Sequence, residues 1–435
     1  GGGGGRIAIY YTDKSGFTGT VGANGGSAPT GRRGGAGTIY WQSSTQQLGE
    51  LVIDNKGVMD VPTTLTGGRY GDVSITNSTV VISGTMTADT VSLKNGSVLT
   101  HPSTDTTGMS QLDVTATTIV IDSTSRIDVT ARGYLGSYQG TNNSNNGRTY
   151  GNTTTGGSGQ YTGGSYGGLG GVVNGSANAA YGDLMNPSEI GSGGGGTSNS
   201  DSHGGNGGGL VRVTAGTLTL DGSIVADGGG GSGSWGSGGS GGGIHINTGT
   251  ISGSGTISAK GAGSTSAGGG GGGRIAIYYA DRVNFTGIVS ASGKSGSSNG
   301  GAGTIYLKSS ANMYGDLVVD NGGMDSREAS TTLSAVGRGV ITSLTADSLT
   351  NNSASWRSGI LKGLRFNPNT NQDKTFVIIN NDATTLYIDP AEGDLRQVSS
   401  IGDTYTGVYT LNQMSIIGKA RMFSSDRLVM NNELI

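Results

Sequence analysis

The sequence predicts an all-β protein, a parallel β-helix (β-solenoid) with glycine-rich loops and a small inserted β domain. Three observations predict this fold: a large internal duplication, a shorter repeat within it, and 89 Gly among 435 residues beside an apolar fraction of only 32%. Repeats indicate stacked units, because one unit cannot bury its apolar face alone. No stretch approaches the roughly 20 apolar residues of a membrane helix, so we predict no membrane span.

The large duplication is visible in long matching runs. RIAIYY at 6–11 returns at 274–279, and GGAGTIY at 34–40 returns at 300–306. LVIDN, which starts at Leu51, returns as LVVDN. The matches lie about 267 residues apart, and the second copy begins near residue 268. The chain lacks an initiator Met, opens on glycines and stops within the pattern, so we expect it to be a segment of a longer precursor.

The shorter repeat consists of a strand, a polar turn, a second short strand and a glycine run; we call this unit a rung. A polar residue between two apolar ones, as in Ile244-His245-Ile246, is the period-two pattern of a half-buried strand. Stacked parallel strands would lie about 4.8 Å apart. Predicted first strands lie at 210–213, 244–246, 275–277 and 305–307, and second strands with their closing glycine at 224–228, 257–261, 289–293 and 318–322.

The glycine runs have two interpretations that the sequence leaves open. They could be solenoid corners, where a positive φ and close backbone packing favour glycine. Runs such as 268–273 could instead form polyglycine-II-like helices packed beside the strands.

The rungs are interrupted twice, which divides the chain into five segments. The first interruption is either a disordered flap or a glycine–tyrosine layer packed on the rungs, and we favour the layer. The second loses the glycine excess and contains a predicted hairpin, with strands 376–379 and 386–388 around an Asn-Asn-Asp turn. The predicted segments are rungs at 1–132, a Gly/Ser/Asn/Tyr-rich insertion at 133–209, rungs at 210–356 that repeat the 1–65 pattern from 268, a small inserted β domain at 357–407, and a return to the solenoid at 408–435.

Composition excludes several kinds of function. A net charge of -3 and 13% charged residues argue against nucleic-acid binding. The absence of Cys removes disulfides, thiolate metal sites and cysteine nucleophiles. The histidines, at 101, 203 and 245, are not spaced as metal ligands and are predicted to be solvated. We predict no catalytic residue and no cofactor, and leave an isolated calcium ion at an Asp-rich turn open.

Several motifs together resemble a known type of protein. GGGGGRIAIYY, FTGTV, GGAGTIY, LVIDN, SYGGLGG and GDTYTGVYTL resemble the glycine-rich repeats of very large bacterial surface proteins, of adhesin-like or extracellular filament-like type. The resemblance implies secretion, a β-helical shaft, and a role in attachment or in building an extracellular fibre. It supplies no catalytic motif.

One strand face is a candidate for contact with a partner or a glycan. If Ile and Val point inward, two outward rows follow: Arg212, His245, Ala276 and Tyr306, then Thr214, Asn247, Tyr278 and Lys308. We predict a partner face on Arg212, His245, Tyr278, Tyr306 and Lys308. The alternative is ordinary pairing between neighbouring strands.

These observations give three expectations about function. The first is a structural subunit of an extracellular or cell-surface fibre that assembles with itself, end to end, through open sheet edges. The second is an adhesin stalk that binds glycan or a host surface. The third, a polysaccharide-active β-helix enzyme, is disfavoured by the small number of carboxylates, and we therefore predict that the protein is not an enzyme.

Overall fold

The computed structural model describes residues 1–27, 33–57, 61–197, 202–326 and 329–431. The protein is nearly all β with many parallel strands, which confirms the predicted all-β class. No helix in these ranges is long and apolar enough to cross a membrane. The first strands are β1 (Arg6–Tyr11), β2 (Thr38–Ser43), β3 (Glu50–Asp54), β4 (Thr63–Arg69), β5 (Asp72–Thr76), β6 (Thr79–Lys94), β7 (Val98–Thr100), β8 (Leu112–Ile121), β9 (Arg126–Asp128), β10 (Leu210–Leu220), β11 (Ser223–Val225), β12 (Gly243–Ser252), β13 (Thr256–Ser258), β14 (Arg274–Asp281) and β15 (Ile288–Ser290). The remaining strands are β16 (Thr304–Ser309), β17 (Asp316–Asp320), β18 (Thr331–Thr332), β19 (Arg338–Val340), β20 (Ser343–Leu344), β21 (Ser348–Thr350), β22 (Arg365–Asn367), β23 (Phe376–Asn381), β24 (Thr385–Ile388), β25 (Thr404–Leu411), β26 (Gln413–Ile417), β27 (Met422–Phe423) and β28 (Arg427–Met430), with 3-10 helices at Pro390–Glu392 and Leu395–Gln397.

An 18-stranded sheet forms the body of the molecule and consists of two rows of strands. Successive strands of the long row are parallel, except where the β2–β3 and β16–β17 pairs reverse direction. The long row runs β1–β2–β3–β5–β6–β8–β10–β12–β14–β16–β17–β26. The short row runs β4–β6–β7–β9–β11–β13–β15.

The strand β6 belongs to both rows because it bends between them. Its first residues pair with β4 and β7, and its later residues pair with β5 and β8, although Met86 and Thr87 also pair with β4. The bend falls at Gly84, whose φ of 95° lies in the left-handed region that favours glycine. In the other rungs, separate strands of the two rows follow one another along the chain.

The apolar residues of the rungs form one continuous core. Alternate residues of each strand point inward, so that Val114, Val213, Ile246 and Ile277 stack in register from rung to rung and are almost completely buried. Each rung therefore covers the apolar face of its neighbours, as expected from the two-residue period of the sequence.

The glycine runs pack beside the strands in a threefold pattern. Along residues 268–273, successive main-chain amides point in three different directions, and each direction returns every third residue. The first points toward the insertion, the second toward the following glycine segment at 298–301, and the third toward the preceding segment at 259–262. Three residues per turn without internal hydrogen bonds is the geometry of polyproline-II-type chains, which favours the polyglycine-II interpretation. The six amides donate, in chain order, to the main-chain oxygens of Tyr161, Ser298, Ala262, Gly164, Gly301 and Ala259.

Close packing, not positive φ, is why these positions need glycine. None of the glycines at 268–273 has a positive φ. The expectation that the glycine runs form solenoid corners with a positive φ is therefore not met in this run. A Cβ atom on Gly272 would lie 1.8 Å from the main-chain oxygen of Ala291, and one on Gly273 would lie 2.1 Å from that of Gly242. Side chains are excluded because neighbouring backbones occupy their space.

A second, eight-stranded sheet lies near the end of the chain, where β23 pairs antiparallel with β24. It also includes β19, β20 and β21, which precede the predicted boundary at 357, and β25, which extends beyond 407. After this sheet the chain returns to the first one. The strand β26 stacks parallel on β17 as β5 does on β3, and β27 pairs with β18 as β6 does with β4.

Candidate functional site

The predicted partner face lies on the long row, and its residues pair in the expected order. Arg212 is the register partner of His245, and Tyr306 follows after Ala276. The second row is likewise in register, with Asn247 beside Tyr278 and Tyr278 beside Lys308. The parallel stacking thus brings the five predicted residues onto neighbouring strands.

The insertion contacts this face at two of its five residues, Arg212 and Tyr278. The guanidinium of Arg212 donates to the main-chain oxygen of Pro187 at 2.8 Å and to Oδ1 of Asn186 at 3.1 Å. The hydroxyl of Tyr278 donates to the main-chain oxygen of Met185 at 2.8 Å. Tyr306 is buried, and its hydroxyl accepts the amide of Gly315 at 3.0 Å. These side chains therefore hold the insertion and a turn in place.

The aromatic side chains of the face contact one another. The rings of His245 and Tyr278 lie 5.5 Å apart, and those of Tyr278 and Tyr306 lie 5.9 Å apart. Burial, helped by the charge of Arg212, lowers the pKa of His245 to about 4, so its imidazole is neutral at neutral pH. The ammonium of Lys308 donates to the main-chain oxygens of Ser309 and Asn312 and lines a shallow cavity of about 380 Å³ with Tyr278.

A cleft opens where the insertion meets the second sheet. It has a volume of about 490 Å³, within the range of small-molecule sites. Tyr278 is the one residue of the predicted face that lines it. The other lining residues are Tyr150, Gly182, Asp183, Met185, Asn186, Ser188, Glu189, Gly359, Ile360, Lys362, Gly363, Val377, Ile378 and Ile379.

Two carboxylates in the cleft have perturbed pKa values. Burial raises the pKa of Asp183, although its Oδ1 accepts the amide of Met185 at 2.8 Å. Burial also raises the pKa of Glu189, to about 7. Groups with raised pKa values in a cleft are candidates for binding or proton transfer. The sequence prediction missed both, although they are the acidic residues of a glycine-free stretch, 183–190, within a glycine-rich insertion.

A buried arginine lies behind the cleft. Arg274 is completely buried, and its Nε donates to the main-chain oxygen of Tyr181 at 2.8 Å. Its other nitrogens donate to Oγ1 of Thr304 and the main-chain oxygen of Thr332, both at 3.3 Å. The guanidinium carbon lies 5.6 Å from the ring centre of Tyr166. Arg274 thus ties the insertion to the second copy of the repeat.

Metal binding finds no support in the part of the chain that the structure describes. No group of three or more His, Cys, Asp or Glu there is arranged to hold an ion. His101, which was predicted to be solvated, is instead completely buried, and burial lowers its pKa to about 4. An isolated calcium ion at an Asp-rich turn stays a prediction.

Taken together, the cleft offers aromatic surface, two carboxylates and the ammonium of Lys362 around a cavity that could hold a small polar ligand. The glycine layer offers a different kind of surface, made of main-chain amides and carbonyls.

Comparison with known proteins found no matching family model, no matching curated protein and no matching solved structure.

Proposed function

We propose that this chain is a structural unit of an extracellular fibre, a parallel β-helical shaft that assembles end to end with copies of itself. The observation that carries the proposal is the state of the two ends of the long row. Within the described residues, β1 pairs only with β2, and β26 pairs only with β17. Each end therefore has an unpaired edge, and unpaired edges template further strand pairing.

The strand directions suit head-to-tail assembly. The long row reverses direction twice, at β2–β3 and at β16–β17, so β1 and β26 run in the same direction. A simple translation along the row therefore brings β1 of one copy beside β26 of the next in a parallel arrangement. Such a contact joins two different surfaces and does not close on itself, which is the geometry of a filament. At roughly 4.8 Å per strand, one copy would add on the order of 50 Å.

The main chain of β1 has groups available for this pairing. In a parallel sheet, successive residues of a strand form their main-chain hydrogen bonds alternately to the neighbouring strand on one side and on the other. The main-chain oxygens of Gly5 and Tyr11 already accept hydrogen bonds on the β2 side. The amides and carbonyls of Arg6, Ala8 and Tyr10 therefore face the open side. In the second copy the equivalent amide of Arg274 donates across that side to the oxygen of Gly242 at 3.0 Å.

A substitution at the open edge tests the proposal. Ala8→Pro removes one outward amide without affecting the bonds to β2, and proline is tolerated in edge strands. Ala8→Ser, which keeps the amide, is the matched control. In electron micrographs and sedimentation of the native chain, wild type and Ala8→Ser should form filaments with an axial repeat near the length of one copy, while Ala8→Pro should stay as single rods. Single rods of wild-type protein at every concentration would rule the proposal out.

The extracellular location is part of the same proposal. It is supported by the resemblance of the repeats to those of large bacterial surface proteins, and the absence of Cys does not count against export. Immunogold labelling of intact cells checks it directly: label on surface fibres is expected, whereas label confined to the interior would contradict it.

The cleft favours a second candidate function, the binding of a glycan. Tyr150 and Tyr278 provide ring surface, and Asp183, Glu189 and Lys362 provide the polar groups that fix a sugar's orientation. A glycan array with the wild-type chain and the Lys362→Ala variant tests this. Binding of one glycan class that the variant loses would support the candidate, and no binding to any glycan would remove it.

A further inference from the structure

The cleft between the insertion and the second sheet carries unbalanced charge. Two carboxylates line it, those of Asp183 and Glu189, against the single ammonium of Lys362. Across the described ranges, none of these three side chains forms an ion pair. The charges are therefore available to a ligand, and their sum is negative when both carboxylates are ionised.

The two carboxylates are also poorly supplied with hydrogen bonds. Asp183 accepts the amide of Met185 through Oδ1, and its Oδ2 faces the opposite wall, where a Cβ atom on Gly363 would lie 3.1 Å away. Burial raises the pKa of Glu189 to about 7, and the hydroxyl of Tyr134 beside it offsets only part of that rise. This hydroxyl is itself completely buried and has no hydrogen-bond partner among the described residues. Carboxylates in such a setting gain most from a donor that also carries positive charge.

The buried Arg274 behind the cleft does not neutralise this charge. Burial raises the pKa of Asp183, and the charge of Arg274 offsets only part of the rise. Its guanidinium already donates to three oxygens of other residues, so it is held away from the cleft. A cation that pairs with Asp183 must therefore come with a ligand.

Aromatic rings line the same cleft. The ring of Tyr278 is held in place because its hydroxyl donates to the main-chain oxygen of Met185. The ring of Tyr150 lies 5.6 Å from that of Tyr181, and the guanidinium of Arg357 lies 5.0 Å from its centre. Such rings offer flat apolar surface, and their faces attract cations. The cleft thus combines ring surface with two unpaired carboxylates.

We infer that this cleft binds a sugar that carries a free ammonium group, with the nitrogen donating to Asp183 and Glu189 and the sugar ring packed on Tyr150 or Tyr278. The inference rests on the glycan candidate above and names the class of glycan. An ammonium has three N–H donors, enough to reach both carboxylates, and each of these hydrogen bonds is charge-assisted. Lys362 donates to a hydroxyl or ring oxygen of the same ligand.

Three trisaccharides that differ in a single group are the probes: the linear glucosamine trisaccharide, its fully N-acetylated form, and the corresponding glucose trisaccharide. They carry an ammonium, an acetamide and a hydroxyl at the same position. Isothermal calorimetry with the full chain, slightly below neutral pH and at low salt, should show saturable binding of the glucosamine trisaccharide. The other two should bind at least about tenfold more weakly, because neither carries a charge.

Two isosteric variants locate the ammonium. Glu189→Gln and Asp183→Asn each remove one negative charge, and each should weaken binding of the glucosamine trisaccharide by at least about tenfold. Asp373→Asn is the matched control, because its side chain is 94% exposed and does not line the cleft. It should bind as wild type does, and all three variants should keep the wild-type circular dichroism spectrum.

A ¹³C NMR titration of Glu189 gives a readout that a change in folding would not produce. The bound ammonium should lower the midpoint of the carboxyl group below its value of about 7 in the free protein, since a nearby positive charge favours the ionised form. The glucose trisaccharide should leave that midpoint unchanged.

Several outcomes would overturn the inference. Equal binding of the three trisaccharides would do so while leaving the glycan candidate standing. If none of them binds, the inference fails and the glycan array decides the glycan candidate on its own. Binding of Nα-acetyl-lysine methylamide as strong as that of the glucosamine trisaccharide would show that the site recognises an ammonium without a sugar. Full affinity in both Glu189→Gln and Asp183→Asn would show that the carboxylates do not hold the ligand. The fibre proposal is tested separately, because Ala8→Pro changes β1 and leaves the cleft intact.

Discussion

Arg6 and Arg274 begin identical hexapeptides, yet Arg6 is exposed and Arg274 is completely buried. The difference comes from what surrounds them: the insertion, the rung at β12 and the strand β18 at Thr332 enclose Arg274. The same local sequence thus forms the same strand in two environments. Paired substitutions at such equivalent positions separate the effect of environment from the effect of residue type.

The first prediction compares these two arginines. Arg274→Ala should lower the free energy of unfolding by about 3 kcal/mol or more, because it leaves a cavity and unsatisfied oxygens on Tyr181 and Thr332. Arg6→Ala should change it by no more than about 0.5 kcal/mol, as expected of an exposed site. Urea unfolding followed by circular dichroism measures both. Equal losses in the two variants would show that the burial of Arg274 contributes nothing.

The second prediction concerns the glycine run at the start of the chain. Gly4→Ala should lower the unfolding midpoint clearly, since the new Cβ would lie 1.8 Å from the oxygen of Ala23 and 2.4 Å from the amide of Gly37. Overpacking of this kind costs about 1–3 kcal/mol. Gly5→Ala, where a Cβ meets nothing within 4 Å, is the control and should leave the midpoint unchanged. A stable Gly4→Ala variant would mean that this run is not closely packed.

Much of this architecture follows from the sequence period. The spacing of apolar residues predicts parallel strands, and it places Arg212 beside His245 because register depends only on the repeat. It does not predict that the insertion contacts Arg212 and Tyr278, or that residues 182–189 meet 359–379 to form the cleft. Those contacts join irregular segments far apart in the chain, so no local period encodes them. Likewise, glycine content alone does not distinguish a positive φ from close backbone packing.

The third prediction concerns Tyr278, which connects the predicted face to the insertion. Tyr278→Phe removes the hydrogen bond to the oxygen of Met185 and should cost about 1 kcal/mol. Its counterpart Tyr10 is 71% exposed, so Tyr10→Phe should have no measurable effect. Proteolysis of the 182–189 segment should also become faster in Tyr278→Phe alone. Unchanged cleavage would show that this hydroxyl does not hold the segment.

The fourth prediction is a pH dependence that comes from Glu189. Burial raises its pKa from 4.5 to about 7, so between these values the folded state binds more protons than the unfolded state. Its contribution to stability is therefore complete below about pH 4.5 and is lost as pH rises through about 7. Asp426, whose pKa burial raises to about 6, acts in the same direction, so Glu189→Gln should reduce the fall in stability without abolishing it.

Unfolding midpoints of wild type and Glu189→Gln from pH 4.5 to 7.5, with a ¹³C NMR titration of the carboxyl group, provide the measurement. A midpoint for Glu189 near 4.5, or identical pH profiles for the two proteins, would show that the cleft does not bury this carboxylate.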